Sequence, residues 1–298
     1  MKQHFELRRV RDFGEIISDS FVFFKDNFKE LFKPLIIICG FFIVSSSIAY
    51  VFMQINIMRI TNQGYRDPAS PDYTETSAAV GMFTGMGFYY INVMLLALCI
   101  LLVTFCYMAV YQEKKGLEKP TMEEVWGYFK YYFFRSMGGC ILMLIMVIIG
   151  TVLCVFPGMY LATVFYLILP IMIIENSSFS YALSKSFKLI SGNWWLTFGV
   201  MFVMSLVVGF ASSIASIPVA LITSFKQFIS FGAFTTPLLI FFSVLMHILM
   251  LGYALLSISI ALCYFSYSEQ KEGTGLMSRI ERLGTNDDDT THLPTEQY

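Results

Sequence analysis

Six stretches of this chain, 16 to 31 residues long, contain no Asp, Glu, Lys or Arg at all: 34–58, 88–111, 136–156, 159–174, 194–222 and 237–267. A helix of about 20 apolar residues crosses a hydrocarbon core of about 30 Å. No water is present there to satisfy a free backbone amide, so each run must close its hydrogen bonds internally, as a helix does. The expected fold is therefore an all-α polytopic membrane protein with six transmembrane helices. Composition agrees: 56% of residues are hydrophobic and only 14% charged, too few to cover a soluble surface.

Between the runs, Lys and Arg fall unevenly. Residues 1–33 hold 7, the 112–135 loop 5, the 175–193 loop 2 and the tail 3, whereas Arg59, Arg66 and Lys226 stand alone on the opposite side. By the positive-inside rule both termini are cytoplasmic. This divides the chain into a cytoplasmic N-terminal segment 1–33, a membrane domain 34–267 and a cytoplasmic tail 268–298. After about residue 284 the tail, ending in "NDDDTTHLPTEQY", is acidic, lacks apolar periodicity and is expected to be disordered. The net charge of −1 points to no nucleic-acid partner. The six cysteines all lie in or beside apolar runs without metal-ligand spacing and read as small buried hydrophobes.

Three segments that are too polar to span have helical periodicity. In "SSFSYALSKSFKLI", Phe179, Ala182, Leu183, Phe187 and Ile190 form a stripe, with Lys185 and Lys188 largely off it. Asn176, Ser177 and Ser178 can cap its start, and Gly192 can end it. Trp194 and Trp195 then fall at headgroup depth as membrane anchors. Phe13, Ile16, Ile17, Phe21, Phe24, Phe28, Leu31 and Phe32 form a like stripe before the first span, as do Val125, Phe129, Tyr132 and Phe133 before the third. The spacing predicts three hairpins, each preceded by a cytoplasmic interfacial amphipathic helix. Pro34 is expected to open the first span, and Pro157-Gly158 to turn between the third and fourth.

The stretch "LPIMIIENSSFSYALSKSFKLISGNWW", with Pro170, Glu175, Ala182, Ser186, Leu189, Gly192 and Trp195, resembles the membrane domain fused to some bacterial glycerophosphodiester phosphodiesterases. The likeness in layout covers about residues 8 to 284, and the N-terminal segment and tail are similar to stand-alone six-span members from Bacteroidetes-type bacteria. In the fused proteins a separate soluble domain carries the hydrolase chemistry, and that domain is absent here. The resemblance thus implies a multi-pass protein of the bacterial inner membrane, and no hydrolase.

Candidates for chemistry are few. No Walker loop, dinucleotide fingerprint, H-E-x-x-H or G-x-S-x-G is present, and the chain reads as a non-enzyme without cofactor or metal. His247, about ten residues into the sixth span, is a ligand-binding or relay group on one reading. On the other it is a neutral imidazole bonded to a neighbouring helix, for instance to a Ser or Thr. Glu175, at the end of the fourth span, steers a headgroup, pairs with Lys185 or Lys188, or caps the helix that follows. In "GFASSIASIP", Gly209 and Ser213, and Ser212 and Ser216, stand four apart, and Pro218 frees the carbonyl of Ile214. This segment is either a close-packed seam or a kinked helix lining a groove for an apolar guest. The resulting expectation is a membrane-organising or accessory module whose partners are membrane lipids and, in the accessory role, another membrane protein. The alternative is a lipid- or apolar-solute-binding protein with a groove near the fifth span.

Overall fold

The computed structural model describes residues 5–66, 75–225 and 235–273; the expected disorder after residue 284 lies outside these. The fold is all-helical, and six helical segments are long and apolar enough to cross a membrane: Phe28–Ile57, Val80–Glu113, Met122–Val152, Val155–Ile174, Trp194–Ile214 and Thr236–Glu272.

Helix α1 (Phe13–Asp26) begins with a capping box, in which Asp12 Oδ1 accepts from the Glu15 amide at 2.7 Å and Glu15 Oε2 accepts from the Asp12 amide at 3.0 Å. It ends at Asn27, and α2 (Phe28–Arg66) starts at once. Pro34 therefore lies inside α2 and does not open it. The span absorbs this proline at the cost of one intrahelical bond, to the carbonyl of Glu30. Helix α3 (Glu75–Glu113) returns along α2.

Helix α4 (Met122–Leu153) corrects the expectation of a separate second interfacial helix. Its polar first turns, capped by Thr121 and Glu124, run into the span without a break, because no proline or left-handed glycine interrupts residues 122–153. The hairpin to α5 (Val155–Tyr166) turns at extended Cys154, and Pro157-Gly158 falls within the first turn of α5. A first-turn proline has no helical amide to lose, so it starts this helix instead of forming the tight turn. The turn also leaves Cys154 exposed, unlike buried Cys39, Cys99, Cys106 and Cys263.

The fourth span breaks at Leu167 before continuing as α6 (Ile168–Ile174). Pro170 lies three residues on and deprives the Tyr166 carbonyl of its amide partner, which accounts for a break there. Helix α7 (Phe179–Ile190) is capped by Ser178 and ends beside Gly192, whose φ of +88° suits a residue without Cβ. Helix α8 (Trp194–Phe225) follows. The last span consists of α9 (Thr235–Leu249), a single 3₁₀ turn (Met250–Gly252) and α10 (Tyr253–Glu272).

Every residue of α10 from Ala254 to Ser268 is buried, as expected of a helix surrounded on all sides. Around it pack α1, α3, α6, α7 and α8. Neither α1 nor α7 is a loose surface helix. Helix α1 turns Ile16, Ser20 and Phe23 into the bundle, leaving Phe13 and Phe21 partly exposed; α7 buries Ala182, Ser186, Leu189 and Ile190, with Phe187 on its open side. At this end, Tyr107 donates to Asn27 Oδ1 at 3.1 Å, tying α3 to the α1–α2 corner. At the opposite end of the bundle a smaller cluster of Val219, Ile222 and Leu239 joins α8 to α9.

Candidate functional site

Three places bring together residues with the means to hold something. The first is where α6, α7 and α10 meet. Lys185 reaches from α7 between two carboxylates, with Nζ 2.7 Å from Glu175 Oε1 and 2.6 Å from Glu272 Oε1. Tyr264, inside α10, donates its hydroxyl to the same Glu175 oxygen at 2.5 Å. Burial alone would depress the Lys185 pKa, but hydrogen bonds to the two glutamates overcome this and raise it above the ordinary lysine value. Lys185 is thus held as an ammonium that clasps three helices.

Of the two partners open to Glu175 in the sequence, the structure selects Lys185. Lys188 stands exposed one turn on, beside a pocket of about 240 Å³. Trp194 stacks on Phe198 at 5.2 Å, and Trp195 points outward.

Arg11 carries a second network that sequence reasoning missed. Its side chain is 1% exposed, and Nε bonds Asp19 Oδ2 at 2.7 Å. Its terminal nitrogens donate to the carbonyls of Glu6, Leu7 and Arg9, and its amide donates to Ser266 Oγ on α10 at 2.9 Å. Burial pushes the guanidinium pKa down, and the bond to Asp19 opposes this. The only sequence signal was an arginine, at the start of a helix, eight residues before an aspartate.

The second place surrounds His247, which is fully buried. Its Nδ1 lies 2.7 Å from the Ser243 carbonyl and 3.3 Å from Ser47 Oγ on α2. A carbonyl can only accept, so Nδ1 carries the proton and Nε2 keeps its lone pair. Ser47 donates to the Ile43 carbonyl at 2.8 Å, and Ser243 Oγ donates to the Ser47 carbonyl at 3.2 Å. The rings of Tyr50 and Tyr89 stand edge-on at 6.3 and 6.1 Å. Among the described residues, Nε2 has no hydrogen-bond partner, and no three His, Cys, Asp or Glu side chains converge as metal ligands.

The third place is an apolar groove of about 620 Å³ between α3, α4 and α5–α6. Leu95, Leu98 and Leu101 form one wall, Met137, Ile141 and Leu144 the second, and Phe165 and Leu169 the floor. No residue of the fifth span lines it, so this groove is not the one expected near α8. Instead, Gly209, Ser212, Ser213 and Ser216 run along a partly or fully exposed side of α8, with Pro218, also partly exposed, on another face of the helix. A Cβ at Gly209 would meet nothing within 4 Å, so no neighbouring helix closes on it. Ser213 Oγ donates to the Gly209 carbonyl and Ser216 Oγ to the Ser213 carbonyl, which keeps these hydroxyls within their own helix. Comparison with protein-family models, with curated proteins and with solved structures returned no match.

Proposed function

We propose that this chain is a non-enzymatic, multi-pass protein of the bacterial inner membrane, with both termini cytoplasmic, that holds an acyl chain of a membrane lipid between its first and second hairpins. The groove between α3 and α4–α5 carries this reading. Its walls belong to three membrane-crossing segments, so what adjoins it is hydrocarbon. Its volume lies within the range of about 300–1,000 Å³ common to ligand sites. Left empty, the lining side chains would lose dispersion contacts that an acyl chain restores. A lipid role also accords with the resemblance to a membrane domain adjoining glycerophosphodiester chemistry.

The test is lipid retention after detergent-free extraction into polymer nanodiscs. Leu98→Trp and Leu144→Trp each fill the groove and should reduce the lipid co-purifying with the protein, while Gly209→Leu on α8 should not. Equal retention by all three variants and the parent would sink the reading. A second reading, an accessory module for another membrane protein, has the open small-residue side of α8 in its favour. It predicts the reverse: Gly209→Leu removes a co-purifying protein, and the groove variants do not.

A further inference from the structure

We propose that the pocket between α7 and the last turn of α10 binds a phosphomonoester-type dianion, through Lys188 and Lys271 with the hydroxyl of Tyr181. This goes beyond the acyl groove and does not depend on it, since none of these residues lines that groove. The pocket, of about 240 Å³, also touches Lys185 and Glu272.

The charge accounting favours an anion. Lys185 and Glu272 face each other at 2.6 Å, and the second oxygen of Glu272 accepts from Ser268 Oγ at 2.8 Å. The one carboxylate in the pocket wall therefore has both oxygens engaged. Lys271 donates to the carbonyls of Lys188 and Ser191, neither of which neutralises its charge. Those two carbonyls close the C-terminal turn of α7, where a helix dipole would repel an anion. Lys271 covers them and leaves a positive charge in their place. Lys188 is exposed and makes no ion pair among the described residues. Two cations without acidic partners among the described residues thus flank one pocket, one on α7 and one fixed to its C-terminus from α10. A phosphomonoester carries about −1.5 to −2 charges at neutral pH, which matches them. A lipid headgroup and a free phosphate share that chemistry.

The experiment titrates the full chain in neutral detergent with phosphatidate and with phosphatidylcholine, counting bound lipid by native mass spectrometry, then repeats the titration with inorganic phosphate. The parent should take up phosphatidate in preference to phosphatidylcholine, and Lys188→Glu should weaken this by about tenfold or more, the effect of losing one charge-assisted contact. Lys130→Glu, a reversal at an exposed lysine on α4, should leave it unchanged. Displacement of phosphatidate by millimolar phosphate identifies the phosphoryl group itself as the ligand. Phosphatidate binding that phosphate does not displace assigns a lipid headgroup, and phosphate binding alone assigns the soluble ion. Leu98→Trp should retain Lys188-dependent binding even if the groove reading fails. No preference for a phosphomonoester, or equal loss in Lys188→Glu and Lys130→Glu, overturns the proposal.

Discussion

A Cβ placed on Gly158 would stand 2.2 Å from Thr151 Oγ1 and 2.9 Å from Thr151 Cα, so the α4–α5 hairpin closes over a bare backbone. Gly150 tightens the same contact, with its would-be Cβ 3.4 Å from Gly158 Cα. In a bilayer, small residues are what let two helices approach this closely. Gly158→Ala should therefore destabilise the protein by about 1–3 kcal/mol, the usual cost of overpacking. Thr151→Ala in the same chain should recover only part of that, because it removes Oγ1 and leaves Cα in place. Thermal melting of both variants in detergent, read by circular dichroism, checks the prediction. A Gly158→Ala protein that melts like the parent would mean that the hairpin is looser than this.

Arg11 is the second test of packing. Its guanidinium bonds one carboxylate and three carbonyls while almost completely buried. Lysine retains the charge but has three donors on a single atom, so it cannot span acceptors arranged around a planar fork. Arg11→Lys should cost about 2–3 kcal/mol, chiefly from carbonyls left unpaired. It should also free the segment before α1, whose carbonyls at Glu6, Leu7 and Arg9 the guanidinium holds. Limited proteolysis should then cut before residue 13 faster than in the parent, at unchanged rates elsewhere.

The Lys185 clasp makes a pH-dependent prediction. Its pKa is raised in the folded protein, so its contribution is complete below the unfolded lysine value of about 10.4 and is lost as pH rises through the folded value. Lys185→Met should lower stability by about 1–3 kcal/mol, since Glu175 is left mostly buried without a counter-charge, held by the Tyr264 hydroxyl, while Glu272 is partly solvated. The gap between parent and variant should stay level from pH 7 to about 10 and narrow above that. Adding Glu175→Gln to Lys185→Met should restore part of the loss.

The six crossings were legible because each is a charge-free run, and hydrocarbon excludes charge whatever the packing. The break at Leu167 was half legible, since Pro170 marks the carbonyl it frees. The 3₁₀ turn at Met250–Gly252 has no such mark. The second interfacial helix was misplaced because an apolar stripe specifies a face and says nothing about where a helix stops. Asn27 and Gly192 end α1 and α7, although Asn27 does so ahead of Phe28, Leu31 and Phe32, the last residues of the first stripe, which belong to α2; nothing like them stands between residues 122 and 153. At the candidate sites, Glu175 and Lys185 were visible as near neighbours in sequence at one end of the bundle. Tyr264 and Glu272, which complete their clasp, lie about ninety residues further on and arrive only by the path of α10. The groove joins α3 to α4 and α5 by tertiary packing alone, so no single stretch of sequence marks it.

His247 offers the sharpest separation of structure from function. Its Nδ1–H is satisfied by the Ser243 carbonyl, but Nε2 is buried with no partner among the described residues. An unsatisfied buried acceptor costs about 1–3 kcal/mol, while the bond at Nδ1 contributes about 0.5–1.5 kcal/mol. If the imidazole is purely structural, His247→Leu removes both terms together, and stability should fall by no more than about 0.5 kcal/mol or rise by up to about 2.5 kcal/mol. His247→Lys should be far worse, because an ammonium there has neither water nor a carboxylate. Melting temperatures of the two variants, measured side by side in one detergent, decide the matter. A large loss in His247→Leu would show that Nε2 is engaged in the native membrane, by an ordered water or by a donor from a bound molecule, and would make the surroundings of His247 a site in their own right.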